Sequence, residues 1–330
     1  MELGYDEIPC IRLDHMTDDE RRAYALAHNS TSLETGFDFD KLNAELESLK
    51  GSFDLVDFGL EFSKADDAFE AAEDDFEGEL PDDPIVRRGD AVILGKHRLV
   101  CGDSTNADDV ARLMDGKKAD LAICDPPYGV KRDKGFGGAD GFSGKGKPIA
   151  RRTYKDNWDN ISPEQSAFDN IITHSEYAII WGGNFFTDKV PVGTFWLVWD
   201  KNQTMPTFGD CELAWTNIER KSIKKYDITY NGLIGKEKER FHPTQKPVKL
   251  YIDVICDFSE KNDIILDLFL GSGSTLIAAE QTARICYGCE INEKYCDVIT
   301  NRYIQFKQSD SDVHLIRDGQ QIPWSELNAT

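Results

Sequence analysis

Asp125, Pro126, Pro127 and Tyr128 follow one another and combine residue types that can activate an exposed amine. An amine conjugated to a ring is a weak nucleophile, because its lone pair is delocalised. A carboxylate and a rigidly held proline carbonyl that accept its two N–H groups favour its rehybridisation. The tyrosine offers a flat face for a base flipped out of a duplex. Ordinary strand-ending turns also contain Asp and Pro, but they account poorly for the whole set.

A glycine-containing turn is predicted at residues 267–275, DLFLGSGST. An apolar run precedes it and a helix-forming run follows it, as in the strand, tight turn and helix of nucleotide-binding sites. Gly271 and Gly273 let the backbone approach a ligand closely and turn into the helix. Glu290 follows about 20 residues later, where an acid accepts both ribose hydroxyls of an adenosine ligand. The same acid would suit NAD, but a dehydrogenase leaves no role for residues 125–128.

The elements that must position these residues alternate along the chain from residue 90 onward. This alternation predicts an α/β fold with a mostly parallel seven-stranded sheet and helices on both faces. Ligands of such sheets bind at the carboxyl ends of the strands, so both motifs are expected there. The predicted strands are 91–95, 98–101, 121–124, 177–181, 194–199, 263–268 and 284–291, and the predicted helices are 106–114, 162–174, 247–258, 274–282 and 292–306.

Composition and length indicate a globular protein of the cytosol. The chain has 330 residues, of which 40% are hydrophobic, enough for one large domain and an appendage. No apolar run approaches the roughly 20 residues needed to cross a bilayer, so no membrane association is expected. The start of the chain lacks the basic residues of a signal peptide. Cys286 and Cys289 have no second pair or nearby histidine, so buried thiols are expected rather than a metal site.

The negative charge is concentrated in the front of the chain. The net charge is −22, and residues 1–90 hold 26 acidic and 8 basic residues. Positive charge is concentrated in residues 131–160 and 219–249, beside the motifs. Such runs are usually solvated faces, but their positions favour contacts with phosphates.

Six motifs together resemble the DNA methyltransferases that modify amino groups with S-adenosyl-L-methionine. The order of the motifs, with DPPY before the glycine turn, is similar to the beta class of that family. The resemblance covers roughly residues 85–320. The motifs are GKHRLVCGDS at 95–104, DPPY at 125–128, VWDK at 198–201, HPTQKP at 242–247, the glycine turn at 267–275 and YGCEI at 287–291.

This resemblance implies a Rossmann-like methyltransferase fold, the cofactor S-adenosyl-L-methionine and specific roles for the motif residues. Asp103 is expected to contact the adenine amine of the cofactor, with Phe269 packed nearby, and Asp267 lies where it can neutralise the cofactor's cationic amino end. HPTQKP can equally be a loop leading into the helix at Pro247. The implied catalytic residues are Asp125, Pro126, Pro127 and Tyr128. The implied cofactor residues are Asp103, Asp267, Phe269, Gly271, Gly273, Ser274, Glu290, Thr244, Lys246 and Pro247.

The resemblance also implies which base is modified. Asp at the first motif position is similar to the enzymes that methylate adenine N6, whereas the enzymes acting on cytosine N4 more often carry Ser there. Two alternatives stay open: an N4-cytosine enzyme, and a non-catalytic DNA-binding protein that retains the fold. Cys124 lacks the Pro-Cys order of the C5-cytosine enzymes, and a buried thiol is expected instead.

DNA is the expected partner, and two segments are similar to the family's variable target-recognition parts, at about 131–160 and 201–241. The candidate phosphate contacts, each of which can equally face solvent, are Arg151, Arg152, Lys155, Lys221, Lys224 and Lys225. A homodimer and a cognate restriction enzyme are further partners that the resemblance allows. The expected setting is the cytoplasm of a bacterial or phage-infected cell.

The N-terminal part of the chain is predicted to form a separate segment. Residues 1–64 form a small acidic α/β segment similar to the later part of ParB-like nuclease domains, which precede methyltransferases in some phage and prophage proteins. The basic motif that opens such domains is missing, so a docking or dimerisation remnant without CTPase or nuclease activity is expected. Residues 65–84 are rich in Asp, Glu and Ala and predict an acidic linker, and residues 85–330 the methyltransferase domain.

Overall fold

The computed structural model describes residues 14–30, 76, 80–129, 162–202, 209–220, 222–229 and 246–327. The chain divides into two compact units. One comprises residues 1–68 and 220–222, and the other comprises residues 69–219 and 223–330. The described part of the first unit contains the helix α1 (Asp18–Ser30). Thr17 and Glu20 form a capping box, in which the backbone N–H of Thr17 donates to the Glu20 carboxylate at 2.6 Å. The similarity to ParB-like domains otherwise falls on residues outside the described ranges.

The second unit is an α/β structure around one large mixed sheet. Its strands are β1 (Ala91–Leu94), β2 (His97–Cys101), β3 (Ala119–Cys124), β4 (Ser175–Trp181), β5 (Trp196–Asp200), β6 (Cys211–Thr216), β7 (Ile223–Asp227), β8 (Ile264–Asp267), β9 (Ile285–Glu290), β10 (Val313–Arg317) and β11 (Gln320–Pro323). Its helices are α2 (Ala107–Met114), α3 (Gln165–His174), α4 (Val248–Phe258), α5 (Ser274–Gln281), α6 (Glu293–Lys307) and α7 (Trp324–Leu327). A 3-10 turn covers Gly183–Phe185.

The predicted α/β fold is confirmed, but the sheet has more strands than the predicted seven and is mixed rather than mostly parallel. The described residues form 11 strands in the order β11-β10-β1-β2-β9-β8-β3-β4-β6-β5-β7. The five central strands, from β2 to β4, are parallel, whereas β1, β10 and β11 on one side and β6 on the other pair in antiparallel fashion. The seven predicted strands all exist. The additional four are β6, β7, β10 and β11, which are short or polar and lack a strong apolar pattern.

One missed element carried a signal in the sequence. β10 and β11 form a hairpin whose turn contains Asp318 and Gly319, both with positive φ, 51° and 75°. An Asp-Gly pair between two strands is the residue choice of a type I′ hairpin turn, because both central positions require the left-handed region. The hairpin therefore extends the sheet beyond β1 through local turn chemistry.

Helices cover both faces of the sheet, as predicted. On one face α2 and α3 contribute Val110, Leu113, Phe168 and Ile171 to a buried cluster with the apolar side chains of the central strands. On the other face α4, α5 and α6 pack in a second buried cluster. The alternating side chains of each strand thus reach two separate cores. Between the two cores, the carboxyl ends of the parallel strands lie at one edge of the sheet.

No helix among the residues that the structure describes is long and apolar enough to cross a membrane.

Candidate active site

An acid stands at or just beyond the carboxyl end of four neighbouring parallel strands. Glu290 ends β9, Asp267 ends β8, Asp125 comes directly after β3, and Asp103 follows the end of β2 by two residues. The register pairs Cys101 with Glu290 across β2 and β9, so these ends lie side by side. The structure therefore brings the two motifs identified in the sequence to one edge of the sheet, where open α/β sheets bind their ligands.

The glycine turn between β8 and α5 depends on backbone conformations that favour glycine. Gly271 has φ of 57° and Gly273 has φ of 88°, both in the left-handed region. A Cβ at Gly273 would lie 3.3 Å from the side chain of Ile299, whereas a Cβ at Gly271 would lie 3.9 Å from the Phe269 carbonyl oxygen. No other atom of the described residues beyond the turn's own neighbours lies within 4 Å of that Cβ position, as a close approach of a ligand requires.

Two buried carboxylates brace this turn. Asp267 accepts the backbone N–H of Phe269 at 2.9 Å and the hydroxyl of Thr275 at 2.6 Å. Glu290 accepts the backbone N–H of Gly271 and of Asn292, each at 2.8 Å. The two acids therefore hold the turn in place. A contact of either acid with a cofactor stays a prediction.

Burial dominates the titration of both acids. It raises the pKa of Asp267 to about 7 although Thr275 and Phe269 donate hydrogen bonds to it. Burial likewise raises the pKa of Glu290 to about 7, against the hydrogen bonds from Asn292 and Gly271. Neutral donors alone do not compensate for the loss of water around a charge.

The remaining predicted cofactor residues of this side lie around the same turn. Asp103, with a third of its side chain exposed, accepts the backbone N–H and the hydroxyl of Thr105 at 2.9 and 2.7 Å. Phe269 is half-buried, and Ser274 is buried at the start of α5. Arg302 on α6 donates to the carbonyl oxygen of Ser272 at 2.6 Å and so ties the turn to the neighbouring helix.

Asp125 lies in a separate cluster one strand away. Its Oδ1 accepts the hydroxyl of Tyr128 at 2.8 Å, and its Oδ2 lies 2.5 Å from Nζ of Lys246. The ring of Tyr128 stacks on the half-exposed ring of Phe185, with centroids 5.0 Å apart. Between Asp125 and Tyr128 in the sequence, Pro126 is buried and Pro127 is half-buried. The DPPY residues thus form one unit rather than four independent contacts.

Lys246, predicted to line the cofactor pocket, binds the Asp125 cluster in the structure. Its ammonium is also 3.0 Å from the Tyr128 hydroxyl and lies over the rings of Tyr128 and Trp181. Pro247 comes next and begins the chain's entry into α4, in agreement with the alternative that the motif leads into a helix. Thr244 lies outside the described residues.

Two members of this cluster were missed from the sequence as site residues. Glu212 on β6 lies 3.2 Å from Lys246 Nζ, and its other oxygen lies 2.6 Å from Nζ of Lys201, which follows β5. Lys201 belongs to a motif noted above, but Glu212 lies in a strand that was not predicted. The one sequence feature that marks Glu212 is its charge directly before the apolar run 213–215.

Cations set the charge state of this second cluster. Burial by itself would raise the pKa of Glu212, but Lys246 and Lys201 lower that pKa to about 2. Burial opposes the charge of Lys246, yet Asp125 and Glu212 raise its pKa. The pKa of Asp125 is raised, by burial first and also by Glu212, while Lys246 acts in the opposite direction. Asp125 is therefore the carboxylate of the pair that protonates first on acidification.

Cys124 precedes Asp125 and contacts the start of the glycine turn, and its thiol is not reactive. Its Sγ accepts the backbone N–H of Leu268 at 3.5 Å, and burial raises its pKa well above the usual range. Cys286 and Cys289 are free and buried on β9, as predicted. Within the described ranges no group of three or more His, Cys, Asp or Glu side chains is arranged to hold a metal ion.

The described candidates for DNA contact lie on β7 and have acidic partners. Lys224 Nζ is 3.2 Å from Asp257, and Lys225 Nζ is 3.0 Å from Asp200 and 2.8 Å from Asp227. The segment 201–241, which was expected to take part in target recognition, contains two strands of the main sheet, β6 and β7. Arg151, Arg152, Lys155, Lys221 and the whole segment 131–160 lie outside the described residues.

Comparison with known proteins shows that part of the chain is similar to a sequence family. A family model for N6/N4 methyltransferases, described as DNA methylase, matches residues 142–301. This match includes HPTQKP and the glycine turn, and it begins after Asp125.

Two curated relatives and one solved structure show the extent of the similarity. The type II methyltransferase M.HinfI of Haemophilus influenzae is 23% identical over 259 residues, 62% of this chain and 68% of that protein. The type II methyltransferase M.BglII of Bacillus subtilis is 39% identical over 62 residues, 19% of this chain and 17% of that protein. The crystal structure of the M1.HpyAVI–SAM complex has a TM-score of 0.41 and 18% identity, covering 62% of this chain and 98% of that one.

Proposed function

We propose that this protein transfers a methyl group from S-adenosyl-L-methionine to the N6 amine of a flipped adenine in a specific DNA sequence, because residues 142–301 match a family model for N6/N4 DNA methylases. One observation carries the proposal. The glycine turn with its two acids and the Asp125 cluster lie at the carboxyl ends of the adjacent strands β8 and β3. A methyl donor and an acceptor amine held at these two places would meet at the edge of the sheet.

The residues of the glycine turn fit the adenosine and amino-acid parts of the cofactor. Gly271 leaves open space outside the turn, and Glu290 stands at the end of β9 beside it. A carboxylate has about four acceptor positions, so Glu290 can accept ribose hydroxyls in addition to its two backbone N–H groups. When bound, S-adenosyl-L-methionine supplies an electrophilic methyl group on a sulfonium sulfur.

The Asp125 side supplies what the acceptor amine needs. Asp125 accepts one N–H of the exocyclic amine and the carbonyl of Pro126 accepts the other, so that the nitrogen lone pair turns toward the methyl group. The lone pair would then face the methyl group that the bound cofactor supplies, and the electrons of the carbon–sulfur bond would leave with the sulfur. Tyr128 and Phe185 present stacked aromatic rings to a flipped base.

Adenine N6 is the proposed target because the motif begins with Asp rather than Ser. The physical role of Asp125 serves either amine, so the size of the base pocket must distinguish a purine from a pyrimidine. A homodimer and a restriction partner stay predictions from the sequence.

The direct test uses purified protein, DNA of mixed sequence and S-adenosyl-L-methionine with a labelled methyl group. We expect label in DNA, and N6-methyladenine after digestion to nucleosides and mass spectrometry. N4-methylcytosine as the main product would change the target while leaving the chemistry intact. Cofactor binding without transfer to any DNA would instead indicate the non-catalytic alternative.

A further inference from the structure

Both oxygens of Asp125 already have donors in the free protein. Oδ1 accepts the Tyr128 hydroxyl at 2.8 Å, and Oδ2 lies 2.5 Å from the ammonium of Lys246. The proposed reaction requires the same carboxylate to accept an N–H of the target amine. The carboxylate has acceptor positions left for this N–H, but an ammonium 2.5 Å from Oδ2 withdraws electron density from it, so Asp125 becomes a better acceptor when Lys246 moves away.

Glu212 lies where it can take over this ammonium. Its Oε2 is 3.2 Å from Lys246 Nζ and also 3.2 Å from the Tyr128 hydroxyl, while Oε1 is 2.6 Å from Lys201 Nζ. Lys246 thus lies between two carboxylates, one of which has a second cation behind it. Only 4% to 15% of each of these four charged side chains is exposed.

Burial makes a second carboxylate necessary for such a movement. A buried ammonium that leaves its only carboxylate becomes an unpaired charge, which is strongly unfavourable. With Glu212 in place, Lys246 exchanges one ion pair for another and stays compensated. Lys201 holds the Glu212 carboxylate in position and keeps it ionised.

We propose that Glu212 is a positioning residue that draws Lys246 away from Asp125 and so releases the Asp125 carboxylate to the target amine. This inference rests on the proposed methyl transfer. As the carbon–nitrogen bond forms, the nitrogen becomes cationic, and its surplus proton passes to Asp125 and then to water. When Lys246 moves away, the positive charge that develops on the amine nitrogen takes the place of the ammonium beside Asp125.

The test is Glu212→Gln, which keeps the size of the side chain and removes its charge. We expect the single-turnover rate of methyl transfer to fall about 10-fold to 100-fold, with affinities for cofactor and DNA unchanged within about twofold. Glu212→Asp, which keeps the charge, should restore most of the rate. Glu212→Gln with the wild-type rate, or with a matching loss of cofactor affinity, would overturn the inference.

The pH profile distinguishes this role from a structural ion pair. The groups that face Asp125 are Lys246, Glu212 and Tyr128, with Tyr251, Asp267 and Cys124 behind them. Removing the Glu212 charge should move the acid limb of the rate profile to lower pH, and Lys246→Met should move it to higher pH. Shifts in the same direction, or no shift, would contradict the inference.

Asp257→Asn is a matched control, because Asp257 also binds a lysine and a tyrosine, Lys224 at 3.2 Å and Tyr226 at 2.7 Å, away from this cluster. It should leave the single-turnover rate and its pH profile unchanged. Melting temperatures of all variants, measured without cofactor, show whether each one is folded. Wild-type protein that transfers no methyl group would refute the proposed function and, with it, this inference. Active wild type with an unaffected Glu212→Gln would refute the inference alone.

Discussion

Two pairs of buried carboxylates at the same edge of the sheet are stabilised in different ways. In the glycine turn, Asp267 and Glu290 accept hydrogen bonds from a hydroxyl and from backbone N–H groups, and their pKa values are about 7. In the Asp125 cluster, ammonium groups lie beside the acids, and the pKa of Glu212 is about 2. Two cations thus reverse the effect of burial on the pKa of Glu212, whereas the single ammonium beside Asp125 only opposes it and leaves that pKa raised.

The two regions therefore have different roles. Neutral donors with fixed geometry define the path of the glycine turn, and the acids there act as braces. Cations in the other cluster keep Glu212 charged and oppose the effect of burial on Asp125, the proposed acceptor of the amine. The following four predictions test this division.

The largest effect is expected from removing the Asp125 carboxylate. Asp125→Ala should lower methyl transfer by about 1,000-fold or more, because no other acceptor replaces it at the amine. Affinity for the cofactor, measured by calorimetry, should stay within about twofold of the wild type. Asp108→Ala, on the exposed surface of α2, serves as the control. A comparable turnover rate in Asp125→Ala would show that Asp125 is not the acceptor.

The next effect concerns the glycine turn. Gly271→Val should lower cofactor affinity about 100-fold, because a β-branched side chain fills the space outside the turn and disfavours its left-handed backbone. Gly319→Val is matched to it, since Gly319 has φ of 75° and no atom of the described part of the chain lies within 4 Å of a Cβ there. Both should lose similar stability, on the order of 1–2 kcal/mol, in thermal melts. Equal cofactor affinity in the two variants would contradict the assignment of the pocket.

A third prediction concerns stability without cofactor. The pKa of Asp267 is about 7 in the folded protein and near its ordinary value of 3.8 in the unfolded chain, so the folded state binds more protons between these values. Its stabilising contribution is complete below the unfolded pKa and is lost as pH rises through about 7. Between about pH 5 and pH 8 this loss is on the order of 2–3 kcal/mol.

Asp267→Asn should remove that part of the pH dependence, because the amide does not ionise. Denaturant unfolding at several pH values measures it, and Glu290 leaves a residual slope in both proteins for the same reason. The same slope in Asp267→Asn as in the wild type would show that Asp267 is ionised at little cost, and the contrast between the two regions would be lost.

The smallest effect is expected at β7. Lys225→Ala should weaken DNA binding about two- to threefold, because in the free protein this lysine already has two carboxylate partners that a phosphate must replace. The slope of affinity against salt concentration should fall by about one if Lys225 contacts a phosphate. Lys249→Ala, an exposed lysine paired with Asp253 on α4, is the control. An unchanged slope would remove Lys225 from the set of DNA contacts.

The sequence by itself determined the elements that carry the site. Each predicted strand and helix of the second unit exists, with ends that differ by at most three residues, because apolar runs and caps are local signals. Asn106, for example, caps α2 through its own side chain, which accepts the N–H of Asp108 at 2.8 Å. The acids after β3, β8 and β9 were identified for the same reason, since a residue's position at a strand end can be seen in the sequence.

Only the tertiary structure decided which residues share the Asp125 cluster. Glu212 reaches it because β6 runs antiparallel to β4 and begins at the edge where the parallel strands end. Lys201 follows β5, whose Trp199 pairs with Glu212, and Lys246 arrives from a third part of the chain. Strand direction and register arise from pairing between segments far apart in the sequence, and the burial that sets each pKa exists only once those segments have packed.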